Sequence, residues 1–430
     1  MTTPPIGTQG MPYAPGEAVG FIRRGPTSDP RTVALITQDQ IVALGTSPPA
    51  GVILAEGAPL SHAAIRLLAL GVPVVIVDTR QAAGLRENAR VRLDGGSGTV
   101  KYETDGPPPR TAPPPPRPGA PVMTADGHRV CVRASVGNPD AAGRALRFGA
   151  ERVGLVRTEL LGPEDGSLPD TGFYLATLER LCANAAPLAV NLRLMDTAPD
   201  KRPGWMPAGA GAASALGPQG SRLFGTEPIR SVVEAQLDAV NRLAGRHELG
   251  LIIPYLTRRE ELEHWASWVH RRLDAAVPLG AMIETPAAAL DLSPWPECAD
   301  FAAIGCNDLM QCLFAADRDI PALRPYLDPY APPLYRFLRD LAGRAGERID
   351  RLQLCGVLPQ LAGVLPVLAG LGYRAFSVDP PLIPWLAERV AGLSVPACRG
   401  LAAAVCEARD TREVLDLLGV AAPFARPFAL

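Results

Sequence analysis

Short runs of aliphatic and β-branched residues recur along most of the chain, separated by stretches whose apolar positions fall three and four apart. The first kind of run fits a strand and the second an amphipathic helix. From Val130 onward the alternation is regular. Val130–Val136, Val153–Arg157, Ala189–Leu194, Leu251–Leu256, Gly280–Glu284, Phe301–Gly305, Leu352–Gly356 and Arg374–Val378 read as strands. Pro139–Phe148, Ser231–Ala244, Arg258–Ala275 and Leu334–Ala345 read as helices between them. Eight strand–helix repeats in about 305 residues predict a (β/α)8 barrel. An open doubly wound sheet is the alternative, and the number of repeats favours closure.

The N-terminal part follows the same alternation on a smaller scale. Strands are expected at Val33–Thr37, Gly51–Ala55, Val74–Val77 and Val91–Leu93, with a helix from Ser61 to Leu70. These make a compact α/β layer. Between the two parts lies GPPPRTAPPPPRPGAP, from Gly106 to Pro121. Proline removes backbone donors and fixes φ, so this segment forms neither helix nor inner strand and extends as polyproline II. At ~3.1 Å per residue it spans roughly 45 Å as a semi-stiff spacer. The expected organisation is a small α/β domain over residues 1–105, a linker over 106–122 and a barrel over 123–430.

Composition narrows the function. The chain is 47% hydrophobic and only 5% aromatic, enough for a large aliphatic core, and its net charge of −2 is spread over mixed signs. That balance offers nothing for nucleic acid or an anionic membrane to grip, so neither is an expected partner. The opening Met1-Thr2-Thr3-Pro4-Pro5 lacks the basic and apolar regions of a signal peptide. No run approaches the roughly 18 apolar residues that span a bilayer. The eight cysteines are scattered without a CxxC pair, as reduced thiols of a cytoplasmic protein would be.

The candidate chemistry sits at two places. In Ala55-Glu56-Gly57-Ala58-Pro59-Leu60-Ser61-His62-Ala63-Ala64-Ile65, a turn of small residues delivers His62 to the first turn of a helix. Helix N-termini favour phosphate, and an imidazole there is well set to take up a phosphoryl group. A plain helix-start residue fits the local sequence equally well. The second place is the barrel mouth, where strand C-termini gather reactive groups. Strand ends supply Arg157, Arg193, Glu284, Asn307, Asp308 and Cys355, with Arg318 following the sixth strand. Each alone has a bland explanation, but converging on one mouth they make a site. Arginine forks bind phosphate and carboxylate. Glu284 and Asp308 are hard oxygen ligands suited to Mg²⁺. Cys355 is either a buried apolar residue or a proton donor.

Read together with His62, these segments resemble the phosphoenolpyruvate-utilising enzymes, most closely enzyme I of the bacterial sugar phosphotransferase system, over nearly the whole chain. Pro12 to Gly20 is similar to that family's opening segment. Leu60-Ser61-His62-Ala63-Ala64-Ile65, with Leu70-Gly71-Val72-Pro73 after it, resembles the phosphohistidine signature. Gly149 through Glu159 resembles the first barrel motif. Arg193 with Asp196 through Lys201 fits enzyme I better than the dikinases and synthases. Phe301 through Leu309, with Asp317-Arg318, completes the set.

The resemblance implies a swivelling phosphohistidine domain followed by the barrel. It implies that Arg157, Arg193, Arg222 and Arg318, with Asn307, clamp phosphoenolpyruvate. Glu284 and Asp308 would hold Mg²⁺, Cys355 would protonate the enol carbon and His62 would take the phosphoryl group. Pyruvate is then the released product, a phosphoacceptor protein or small molecule the second partner, and a homodimer through the barrel the assembly.

The chain departs from the pattern in places. Only about a dozen residues separate Gly20 from Val33, which leaves no room for the helical domain that docks the phosphocarrier protein in enzyme I. No ATP-grasp region is present. Leu60, Leu68, Cys306 and Val357 stand where polar residues are usual, with Arg66 near Leu68. Two other functions stay open: a regulatory protein that binds phosphoenolpyruvate or pyruvate with little turnover, and a barrel-only lyase or hydrolase of a keto acid.

Overall fold

A computed structural model describes residues 7–45, 47–103, 106–198, 202–206, 216–293 and 295–420. Lys201 and the opening Met1–Pro5, on which expectations above fall, lie outside the described residues.

The first sheet has eight strands: β1 (Thr8–Gln9), β2 (Met11–Ala14), β3 (Glu17–Arg24), β4 (Thr32–Thr37), β5 (Gly51–Ala55), β6 (Val74–Val77), β7 (Arg90–Asp94) and β8 (Thr99–Tyr102). Their spatial order is β1-β8-β7-β3-β4-β5-β6-β2, with β3 to β6 mutually parallel. The expected strands at β4 to β7 are present. Four more were not expected. In β2 Pro12 disguises a strand, which the sheet accommodates by placing it on the edge where no ladder donor is needed. In β3 only Ala18, Gly20 and Ile22 point inward, an alternation blurred by the two small residues. The connection from β3 to β4 is residues 25–31, so no helical domain is inserted there.

Between β5 and β6 runs the helix His62–Leu68. Ser61 starts it, accepting from the Ala64 amide at 3.2 Å and donating to the Ala58 carbonyl at 2.8 Å. Leu60, Ala64, Leu67 and Leu68 are buried, while Arg66 is exposed. Leu60 and Leu68, the departures beside His62, are therefore core residues.

The second sheet is the barrel. β10 (Arg129–Val136), β11 (Val153–Arg157), β12 (Val190–Arg193), β13 (Leu249–Ile253), β14 (Leu279–Ile283), β15 (Phe301–Gly305), β16 (Leu352–Cys355) and β17 (Ala375–Val378) pair in parallel in that order. β10 pairs with both β11 and β17, which closes the ring, and the short β9 (Val122–Met123) runs antiparallel beside β10. Closure, not the open sheet, is the observed architecture. Inside it, Leu155, Ile252, Met282, Ala303 and Cys355 form one apolar layer. Beneath, Arg133 meets Glu151 at 3.0 Å and Gln353 at 3.1 Å, and Ser135 meets Ser377 at 2.9 Å. A polar floor of this kind holds only because its members satisfy one another.

The small unit is seated on the C-terminal mouth of the barrel, and its apolar side chains join the barrel's outer core. Arg144 donates to the Ala69 carbonyl at 3.1 Å, just past the His62 helix, and Arg324 donates to the Gly57 carbonyl at 3.4 Å. The linker is tacked down on both sides. The Arg110 amide donates to Glu17 at 3.1 Å; its guanidinium grips Glu388 at 2.6 and 2.7 Å and lies over Trp385 at 5.0 Å. Further along, the Gly119 amide donates to the Ala150 carbonyl at 2.9 Å. Among the described residues no single helix is long and apolar enough to cross a membrane. One bent pair, Pro380–Ala391 with Val395–Glu407, passes on composition but breaks at 102°.

Candidate active site

Strand register sets the site. Arg157 at the end of β11 pairs with Arg193 at the end of β12, and Gly305 of β15 pairs with Cys355 of β16, which pairs with Ser377 of β17. The ends of neighbouring strands in a closed barrel face a common axis. One pocket there is lined by Leu155, Arg157, Glu159, Arg193, Met282 and Glu284, by Asn307, Asp308, Arg318 and Cys355, and by Ile65 of the small unit. Ile65 lies one helical turn after His62. Seven of the expected site residues are thus brought together: Arg157, Arg193, Glu284, Asn307, Asp308, Arg318 and Cys355.

Arg193 is the centre of charge. It is 3% exposed, and its guanidinium donates to Glu159, meets Asp196 at 2.9 Å and reaches Glu284 at 3.3 Å. Burial alone would lower its pKa, but Asp196, Glu159, Glu284 and Asp308 outweigh it and hold the guanidinium above its ordinary value. The other oxygen of Glu284 accepts from the Tyr255 amide at 3.0 Å. Tyr255 is placed for this by a left-handed φ of 50°, an uncommon conformation for a bulky residue. Gly305 allows Glu284 to lie where it does, because a Cβ there would come within 2.6 Å of the Glu284 Cγ. Arg318 pairs with Asp308 at 3.3 Å and Arg157 with Asp379 at 3.8 Å. Asn307 accepts from the Val357 amide at 3.2 Å across Gly356, whose φ of 107° suits glycine alone. Burial pushes the Cys355 thiol up to about 12 against the pull of Arg157, Arg133 and Arg193.

Two expected residues stand apart. Arg222 does not line the pocket; it is exposed and lies over the Tyr255 ring at 4.9 Å. His62 belongs to the other unit and begins the helix that covers the mouth. Sequence reasoning passed over Glu159, Asp196, Tyr255 and Asp379 as site residues. Asp379 was within reach, since it follows the eighth strand as Arg157 ends the second. Tyr255 acts through its backbone N–H, which no residue type advertises.

Glu284 and Asp308, the carboxylates expected to hold Mg²⁺, both line the pocket, each beside an arginine. Three arginines (Arg157, Arg193 and Arg318) face five carboxylates, from Glu159, Asp196, Glu284, Asp308 and Asp379. One buried oxygen of Glu159 also lacks a hydrogen-bond partner. Among the described residues no three His, Cys, Asp or Glu side chains form a metal cluster. Such a site suits an ion that takes one or two carboxylates and completes its shell with substrate oxygens, as Mg²⁺ does.

Fold and pocket together describe an α/β unit docked on the mouth of a (β/α)8 barrel, over a pocket lined by arginines and carboxylates. Residues 117–395 match the PEP-binding domain of PEP-utilising enzymes, and residues 33–98 match the mobile domain of the same enzymes. The chain belongs to the PEP-utilising enzyme family. It is 32% identical over 396 residues to a multiphosphoryl transfer protein of Xanthomonas campestris pv. campestris, covering 87% of this chain and 46% of that one. It is 30% identical over 374 residues to a phosphoenolpyruvate-protein phosphotransferase of Streptomyces coelicolor, covering 84% of this chain and 66% of the relative. A multiphosphoryl transfer protein 1 of Escherichia coli K12 is 27% identical over 316 residues, or 70% of this chain and 37% of its own length. The chain therefore spans between about a third and two thirds of these relatives.

Proposed function

We propose that this protein transfers the phosphoryl group of phosphoenolpyruvate to His62 and releases pyruvate. The observation that carries the reading is the meeting of Arg157, Arg193, Arg318, Asn307, Glu284, Asp308 and Cys355 in one pocket, covered by the helix that His62 begins. Arg157, Arg193 and Arg318 would hold the phosphate and carboxylate, with Asn307 beside them. Glu284 and Asp308 would hold Mg²⁺, which when bound neutralises phosphate charge that five carboxylates would otherwise repel. The imidazole of His62 would form the new N–P bond as the enol oxygen keeps the electrons of the broken P–O bond. Cys355 would then give its proton to the methylene carbon, completing pyruvate, and water would restore the thiol. Phosphoryl transfer asks for positioning and charge stabilisation, and these the pocket supplies. A protein or small molecule would take the phosphoryl group onward. Two copies joined through their barrels, in the cytoplasm, are the assembly and setting we infer from the same resemblance.

The test is to incubate the protein with radiolabelled phosphoenolpyruvate and Mg²⁺. One equivalent of base-stable, acid-labile label per chain, with one pyruvate released, is the expected result. Saturable binding without label would make it a sensor of phosphoenolpyruvate. Pyruvate without labelled protein would make it a barrel-only enzyme. Either outcome overturns the proposal.

A pH dependence follows from the buried thiol. Proton donation needs the thiol form, and a thiol raised to about 12 stays protonated through the range where an exposed cysteine ionises. The single-turnover rate should show no loss assignable to Cys355 up to about pH 10. A limb near pH 8.5 that disappears in Cys355→Ser would contradict this.

A further inference from the structure

Asp379 follows β17 at the barrel mouth and is 7% exposed. Its Oδ1 lies 3.8 Å from Arg157 Nη1. That is an ion pair without a closed hydrogen bond. Three ionisable groups act on it from the elements around it. Arg157 comes from the end of β11, Arg144 from the helix Pro139–Arg147 and Tyr13 from β2 of the small unit. Burial raises the Asp379 carboxyl, opposed by Arg157 and then Arg144.

Two of these neighbours also touch the seat of His62. The Tyr13 hydroxyl donates to the Pro59 carbonyl at 2.8 Å, three residues before His62. Arg144 donates to Ala69, just after the His62 helix. Pro381, two residues beyond Asp379, packs against Gly71, where an added Cβ would come within 2.9 Å of it. Asp379 therefore stands between the pocket and the docked unit.

We propose that Asp379 is a positioning residue that competes with the substrate's phosphate for Arg157 and recovers the guanidinium once the phosphoryl group has left. The inference rests on the proposed reading that Arg157 binds phosphoenolpyruvate. Before substrate arrives, Asp379 holds Arg157 loosely at the pocket wall. A phosphate oxygen forms a shorter, charge-assisted bond with the guanidinium and displaces the carboxylate. Asp379 then keeps Arg144, which also ties the barrel to Ala69. When the phosphoryl group moves to His62, Asp379 takes Arg157 back and the pocket loses its grip on the phosphoryl oxygens. Forward transfer is favoured over return.

The test uses the full chain with Mg²⁺ and reads the rate of His62 labelling against phosphoenolpyruvate concentration. Asp379→Asn removes a buried charge while keeping the shape. It should lower half-saturation by roughly threefold to tenfold, the range of a modest ion pair, and leave the maximal rate within about twofold. The difference from wild type should narrow as the pH falls, because burial raises the Asp379 carboxyl and protonating it frees Arg157 in the wild type as well. Asp379→Ser, a second way to remove the charge, should shift half-saturation in the same direction. Unchanged or raised half-saturation in whichever variant folds overturns the proposal. Arg157→Ala, run alongside, separates the two levels. If it abolishes saturable labelling while Asp379→Asn changes nothing, only the competition fails. If neither matters, the phosphate role of Arg157 fails with it.

Discussion

His62→Ala should leave no acid-labile label on the protein while phosphoenolpyruvate still binds. The fold has little reason to change. Ser61, not His62, caps the helix, and alanine at a first helical position is well tolerated. Binding has little reason to change either, because every charged group lining the pocket belongs to the barrel. What disappears is the nucleophile, and a covalent route without its nucleophile should slow by more than about a thousandfold. Labelling on a gel, with calorimetric titration of phosphoenolpyruvate in parallel, separates the two effects. Label that persists on the variant would move the acceptor elsewhere. Binding lost together with label would mean that the variant had damaged more than one residue.

Arg193→Ala should be the most damaging single change in the barrel. It removes the guanidinium that Glu159, Asp196 and Glu284 share in a buried site. Breaking a buried ionic cluster by deleting a cation that its members share costs about 3–5 kcal/mol. For a unit of this size that lowers the barrel's melting temperature by roughly 5–10 °C. The same change makes the pocket more negative, so affinity for phosphoenolpyruvate should fall at least about a hundredfold. Arg193→Lys should rescue little, since a point-like ammonium cannot replace a planar fork shared by three carboxylates. Calorimetric melting and titration measure both effects. A variant with native melting temperature and affinity within threefold would show that the cluster matters for neither.

The barrel was readable because its strands are short, aliphatic and regularly spaced, and register alone then assembles the pocket. Arg157 beside Arg193 and Cys355 beside Gly305 follow once the strand ends are placed. The small sheet was harder. β2 and β3 carry proline, glycine and charges at both ends of β3, and only the pairing shows that Pro12 sits on an edge and that Gly20 faces inward. Leu60 and Leu68 read as losses of polar support but are packing residues of the small unit. The aromatic seat of Arg222 was not legible, because Tyr255 and Arg222 are brought together by tertiary structure. Nor was the Tyr255 amide as a partner of Glu284, since a backbone donor looks the same at every position.

The tacked linker changes what kind of tether the His62 unit has. With the Arg110 amide on Glu17 of the small unit and Gly119 on Ala150 of the barrel, the free span is only residues 111–118, about 25 Å if fully extended as polyproline II. Such a short leash keeps the local concentration of His62 at the barrel mouth high. The Arg110 and Glu388 side chains are 57% and 45% exposed, so the outer tack is weak and open to screening by salt. While it holds, Arg110 ties the small unit directly to the barrel; its release leaves residues 111–118 as the tether without breaking any core contact. Raising the ionic strength should therefore loosen the hold of the barrel on the small unit.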